Sequence, residues 1–193
     1  LLSGNELLTF LWGEEGSGKS HLLQAVCQAD KTETQPVYLP MQELLKLQPA
    51  VLEGMESMNP VCIDDVQLIA GNKEWEEALF HLFNRVREQN GTMVVSATGS
   101  PGNINILLPD LVTRLGWGAV YQVKPLDDQG KKVALQQRAR NRGLQLADDV
   151  IEYVLRRSAR DMNSLFQLLD RLDVASLVEQ RKLTIPFVKQ YLQ

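Results

Sequence analysis

The sequence predicts an α/β fold, a parallel five-stranded sheet flanked by helices, with a purely helical subdomain after it. Three observations predict it. Apolar strand-like runs alternate with helical patterns as far as Pro125, and only helical patterns follow. A complete G-x-x-x-x-G-K-[ST] loop, Gly13-Glu14-Glu15-Gly16-Ser17-Gly18-Lys19-Ser20, stands between the first strand candidate and the first helix candidate. The charge is also divided. Through Gly130 there are 8 Lys/Arg against 17 Asp/Glu, and from Lys131 onward 12 against 7, so a net charge of −4 covers two halves of opposite sign.

The elements follow in order. Leu8–Trp12 is an apolar strand, and the helix after the glycine loop is expected from Lys19 to Ala29. Val37–Pro40 is a short second strand. Met41–Leu47 and Ala50–Met58 read as helical, broken at Pro49. Val61–Asp65 is an apolar strand that ends in two carboxylates. Trp75, Ala78, Leu79, Leu82, Phe83 and Val86 recur at helical spacing and predict an amphipathic helix packed on the sheet. Thr92–Ala97 is the fourth strand, a loop rich in Gly, Asn and Pro runs to about Pro109, and Ala119–Val123 is the fifth strand, stopped at Pro125. Helices are expected at about Asp128–Asn141, Asp148–Ser158, Asp161–Val178 and Thr184–Leu192. Asp148, Asp161 and Thr184 are the candidate N-caps, and Gly143 is a candidate stop.

Composition bounds the class. Hydrophobic content of 44% and charged content of 23% are those of an ordinary globular chain. No apolar run approaches the ~20 residues that span a bilayer, and no signal peptide opens the sequence. Cys27 and Cys62 fall in apolar stretches and read as buried free thiols, so the expected compartment is the cytoplasm. The chain opens on Leu1-Leu2 rather than Met, which leads us to expect a preceding segment. Helical charges are more often a solvated face than a nucleic-acid surface, so sequence-specific DNA contact by the basic half is not expected.

The glycine loop carries the first chemistry. Gly13, Gly16 and Gly18 let the backbone turn tightly and aim its N–H groups, Ser17 included, at a polyphosphate. The helix N-terminus adds its positive end. Lys19 is expected on the β- and γ-phosphates, the Ser20 hydroxyl on Mg²⁺, and the His21 N–H on the α-phosphate. A parallel sheet presents ligands at the carboxyl ends of its strands, which brings Asp64 and Asp65 beside those phosphates. Asp64 is then the metal-side carboxylate and Asp65 the candidate base for an attacking water. Ser96 and Thr98 end the fourth strand, and either hydroxyl can meet the γ-phosphate or the water. Arg114 is a candidate arginine finger or a surface salt bridge with Asp110. Arg160 precedes a lid helix and is a candidate nucleotide contact or a solvated cation.

With these residues in hand the sequence resembles the AAA+ family and, within it, the DnaA clade. The likeness runs through Gly13–Ser20, Val61–Asp65, the strand ending at Ala97, Arg114-Leu115-Gly116-Trp117-Gly118 and Ala159-Arg160-Asp161-Met162-Asn163-Ser164-Leu165. It implies a P-loop core over residues 1–125 and an α-helical lid over 126–193. It also implies bound ADP or ATP with Mg²⁺, and Arg114 as the finger. Thr98 falls near the place where initiators carry a sensor Asp, which leaves Ser96 and Thr98 open. The sensor arginine of the lid falls on Asn163, with Arg160 three residues earlier as its substitute. DnaA initiators continue into a helix-turn-helix domain, whereas this sequence stops at Gln193, and that pattern is similar to the clade's regulatory members. The resemblance then implies a partner initiator of DnaA type and the replicative sliding clamp, held through a peptide expected before Leu1. It also implies stimulation of the ATP hydrolysis of the initiator. Assembly with further copies of itself stays open. Two other functions are weighed beside this one: an ATPase motor of an initiator or helicase loader, and a scaffold stabilised by its nucleotide.

Overall fold

The structure, a computed structural model, describes residues 6–29, 35–158 and 161–192. The chain divides into two compact units, Leu1–Lys124 and Pro125–Gln193.

In the first unit five parallel strands lie in the order β2-β3-β4-β1-β5: β1 Leu8–Trp12, β2 Val37–Pro40, β3 Val61–Asp64, β4 Met93–Ala97 and β5 Ala119–Gln122. β1 lies between β4 and β5, with Leu11 beside Ser96 and Trp12 beside both Ala97 and Gln122. Both sheet faces are covered, so the inner strands read as unbroken apolar runs. The period-two alternation still sorts their side chains. Phe10, Ile63 and Val95 join one core with Trp75, Leu79, Leu82, Phe83 and Val86 of α3, Lys73–Glu88. Leu11, Cys62 and Val94 meet Leu23 and Val26 of α1, Lys19–Ala29, on the opposite face. β5 is an edge strand with Val120, Tyr121 and Gln122 exposed.

Between β2 and β3 the expected pair of helices is corrected. α2 spans only Met41–Leu44, and the rest is two short 3-10 turns, Pro49–Leu52 and Met55–Ser57. Pro49 opens the first turn rather than breaking a helix, since a first-turn N–H has no intrahelical partner to lose. Gly54, at φ 82°, reverses the chain before the second. The loop after β4 is also more ordered than the sequence indicates, because a seven-residue helix, α4, runs Pro109–Leu115 and carries Arg114.

The second unit consists of α5 Asp128–Asn141, α6 Asp148–Arg157, α7 Met162–Glu179 and α8 Ile185–Lys189. Leu135, Ile151, Leu165, Leu169, Leu172 and Phe187 close its core. Asp161 caps α7 by accepting the Ser164 N–H at 2.8 Å, and Gly143 turns the chain at φ 73° after α5. The other two expected caps do not act as such. Ala147 precedes α6, and Asp148 is drawn instead to Lys132 at 2.9 Å and Gln136 at 2.7 Å. Thr184 stands at the α8 cap without a side-chain bond. Much of the basic charge of this unit is paired internally: Lys132 with Asp148 and Glu152, and Arg138 and Arg142 with Asp170. Among the described residues no helix is long and apolar enough to cross a membrane.

Candidate nucleotide site

The glycine loop leaves the carboxyl end of β1 and is pinned at its start. The Gly13 N–H donates to Ala97 O of β4 at 3.2 Å, which ties the loop to the neighbouring strand end. A Cβ at Gly13 would lie 2.1 Å from Val123 O, so no larger residue fits there. Gly18 sits at φ 99°, a left-handed backbone that side chains other than hydrogen oppose, and Gly16 sits at φ 75°. α1 then begins at Lys19, and its first-turn N–H groups have no carbonyl within the helix to bond.

Lys19 is folded into this loop. Its side chain is 5% exposed, and Nζ donates to Gly13 O at 2.8 Å and to Glu14 O at 2.9 Å. An ammonium has three donors, so one is left for an incoming oxygen. Ser17 is buried, and its Oγ has no hydrogen-bond partner. A buried hydroxyl left unsatisfied is disfavoured by about 1–3 kcal/mol. A ring of helix-end N–H groups, one spare ammonium donor and an orphan hydroxyl is the donor set that a polyphosphate would satisfy. Ser20 is half-buried and His21 exposed on that same first turn.

The second group of site residues lies at the carboxyl ends of β3 and β4. Asp64 is 4% exposed and accepts from two hydroxyls, Tyr38 Oη at 2.6 Å on Oδ2 and Ser96 Oγ on Oδ1. Burial, and then the bond to the Asp64 carboxylate, holds the Tyr38 phenol above its ordinary pKa. Ser96 Oγ also accepts the Asp65 N–H at 2.9 Å, so one buried hydroxyl fixes both acidic residues. Asp65 leaves the strand at φ 57°, a left-handed backbone that ends the extended run of β3. That carboxylate accepts Gln67 Nε2 at 3.1 Å, and Gln67 Oε1 accepts the Thr98 N–H at 3.2 Å. Thr98 is exposed and its hydroxyl takes no part in this network. Ser96 therefore belongs to the carboxylate cluster, and Thr98 reaches it through its backbone.

For a metal, the available donors are the Ser20 hydroxyl and Asp64, whose oxygens keep lone pairs beyond the two hydroxyl bonds. No group of three or more His, Cys, Asp or Glu that could hold an ion occurs among the described residues. The set fits Mg²⁺, which takes one or two protein ligands and completes its shell with water and substrate phosphates.

Arg114 stands apart from both groups, in the last turn of α4. The expected alternative, an ion pair with Asp110, does not form, and no carboxylate pairs with Arg114 among the described residues. Its guanidinium carbon lies 3.8 Å from the centre of the Trp117 ring. Asn163 is exposed on the first turn of α7, in the second unit. Arg160 lies outside the described residues.

Three supporting residues escaped the sequence reading. Tyr38 and Gln67 gave no signal, because Asp64 lies 26 residues from Tyr38 and the Thr98 that Gln67 links to Asp65 lies 31 residues from Gln67. Glu76 did give one. It lies three and seven residues before Leu79 and Phe83, so an acid stands on an apolar stripe, and the structure buries it to 1% exposure. Its carboxylate accepts the N–H groups of Gly71 at 2.8 Å, Leu107 at 3.0 Å and Leu108 at 2.8 Å, and so sets the entry of α4.

A parallel sheet in this order, a glycine loop after β1, paired acids at the end of β3 and a separate helical unit define a P-loop protein of the AAA+ type. Comparison narrows the class. The model of the bacterial DnaA ATPase domain matches residues 5–122, more than half of the sequence, and the chain belongs to that family. A second model, the lid domain of Hda, matches residues 128–192. Among solved structures the chain is similar to domain III of the replication initiation protein DnaA from Thermotoga maritima, with a TM-score of 0.83 at 21% identity, over 99% of this chain and 85% of that one. AMPPCP-bound DnaA from Aquifex aeolicus matches with a TM-score of 0.67 at 21% identity, over 85% and 54%. The Holliday junction branch migration motor RuvB of Thermotoga maritima matches at 0.69 and 17%, over 95% and 60%. The chain thus spans little more than half the length of the last two.

Proposed function

We propose that this chain binds ADP or ATP with Mg²⁺ and regulates replication initiation by lending Arg114 to a partner. On this reading it stimulates hydrolysis of the ATP held by a DnaA-type initiator, together with the sliding clamp, and so switches the initiator off. The observation that carries the proposal is Arg114, a guanidinium without an acidic partner among the described residues, in a chain whose residues 128–192 match the Hda lid model. A finger supplied in trans must keep its charge unspent, because its work is to offset charge that develops on the phosphates of another protein.

The chain's own residues would divide the work as follows. Gly16, Ser17, Gly18 and Lys19 hold the phosphate chain of the bound nucleotide, and the His21 N–H adds a contact at its inner end. Ser20 and Asp64 hold the metal side, and Mg²⁺ neutralises phosphate charge when bound. Ser96 keeps Asp64 and Asp65 in place. Asn163 or Arg160 would contact the nucleotide from the lid, over the 126–193 subdomain. AMPPCP binding by the Aquifex relative supports an adenine nucleotide as the ligand.

One observation favours a second reading, an ATPase motor in its own right. Asp65 is half-buried, turned out of the strand and oriented by Gln67, as a base for water would be. The two readings separate on the partner. Addition of the full-length protein and DNA-loaded clamp should shorten the lifetime of initiator-bound ATP. An unchanged lifetime, with turnover by the chain alone, would leave the motor reading standing.

A further inference from the structure

The aromatic surroundings of Arg114 carry a second assignment. Its guanidinium carbon is 3.8 Å from the centre of the Trp117 ring and 6.0 Å from that of Phe83. The two rings meet edge to face, 6.5 Å apart at 78°. Trp117 is 55% exposed, so this indole lies at the surface and not in the core. Arg114 Nη1 is buried without a hydrogen-bond partner. A second guanidinium, Arg87, lies 5.8 Å from the centre of the same Trp117 ring and has no acidic partner among the described residues. Two cations share one ring, and among the described residues neither is paired with a carboxylate.

Stacking and pairing use different parts of a guanidinium. A carboxylate would occupy the N–H edge and cancel the charge. An aromatic ring takes the flat face, fixes the plane and leaves the N–H edge unspent. We infer that Trp117 is the positioning residue of Arg114, holding its guanidinium in place so that its N–H donors other than the buried Nη1 meet a phosphoryl oxygen presented by another protein. Arg87 adds positive charge at the same ring, which a single unpaired surface arginine would not need. The inference rests on the regulator reading, and it concerns placement of the finger rather than docking of the partner.

The test is single-turnover hydrolysis of initiator-bound ATP, titrated with the full-length protein in the presence of DNA-loaded clamp. Wild type is compared with Arg114→Ala, Trp117→Ala and Trp117→Phe, each checked for fold by circular dichroism. Loss of the ring should lower the maximal rate by about 10- to 100-fold, the scale of a misplaced catalytic group, with the half-saturating concentration unchanged. Trp117→Phe, which keeps a ring face, should restore most of the rate. If Arg114→Ala abolishes stimulation while Trp117→Ala matches wild type, the positioning role is overturned and the regulator reading survives. A raised half-saturating concentration for Trp117→Ala at an unchanged maximal rate would make Trp117 a docking residue and also overturn it. If Arg114→Ala stimulates as wild type does, Arg114 is not the finger and the positioning role falls with it; if wild type itself does not stimulate, the regulator reading falls.

Discussion

Replacement of Glu76 by Ala should destabilise the first unit severely, although Glu76 touches no expected ligand. The carboxylate is 1% exposed and accepts from three backbone N–H groups, those of Gly71, Leu107 and Leu108. A hydrogen bond to a charged group contributes about 1.5–3 kcal/mol, and three such bonds to one carboxylate are not additive, since the loop relaxes when all are lost. We expect a net loss of about 3–5 kcal/mol. All three tryptophans, Trp12, Trp75 and Trp117, lie in the first unit, so their fluorescence during urea unfolding reports that unit alone. With a denaturant slope of about 2 kcal/mol per molar, the midpoint should fall by about 1.5–2.5 M. Glu76→Gln should lose roughly half as much, because its carbonyl still accepts while its amide turns a donor toward donors. A shift under about 0.5 M for Glu76→Ala would refute the claim that this carboxylate organises the entry to α4.

Three further outcomes follow from the same structure. Lys19→Ala should abolish binding of ADP and ATP by calorimetry, and an unchanged affinity would refute the assignment of the glycine loop. Burial holds the Cys62 thiol above its ordinary pKa, and its side chain is fully buried on the sheet face that packs against α1. Cys62 should therefore resist alkylation at neutral pH until urea unfolds the chain; mass spectrometry showing label on native Cys62 would contradict this. The Ser164 N–H holds the Asp161 carboxyl below its usual range at the start of α7. A depressed carboxyl stabilises fully above its unfolded pKa of about 3.9, and that contribution is lost as pH falls through the lower, folded value. Thermal melts followed at 222 nm should show Asp161→Ala less stable by about 1 kcal/mol at pH 7, with the gap closing on acidification; a gap independent of pH would count against the charged cap.

What the sequence discloses depends on how local the cause is. β1, α1 and the glycine loop are legible because strand, turn and helix each carry their own pattern within Leu8–Ala29. The long stripe of α3 and the helix of α5 are legible for the same reason. Met41–Met58 is misjudged because its apolar residues face the core from 3-10 turns, whose spacing over a few residues imitates a helix. α4 is hidden because a seven-residue helix opening on Pro looks like the end of a loop, and its entry is held by Glu76 from another element. The Asp64–Ser96–Tyr38 cluster is half legible. Strand ends announce Asp64 and Ser96, but only the β2-β3-β4 pairing makes Tyr38 and Ser96 the two donors to one carboxylate. Trp117 lies only three residues after Arg114, yet spacing alone leaves an ion pair with Asp110 equally open.

The central claim is that Arg114 works on a nucleotide bound by another protein. Its most direct test is the rate of a single turnover of ATP held by the DnaA-type initiator with DNA-loaded clamp, with full-length wild type or Arg114→Ala added. An arginine finger contributes about 10³- to 10⁵-fold to such a step, so wild type should accelerate it strongly and Arg114→Ala should leave it near its unassisted rate. Equal acceleration by both would remove Arg114 from the chemistry, and acceleration by neither would contradict the proposed regulation of the initiator.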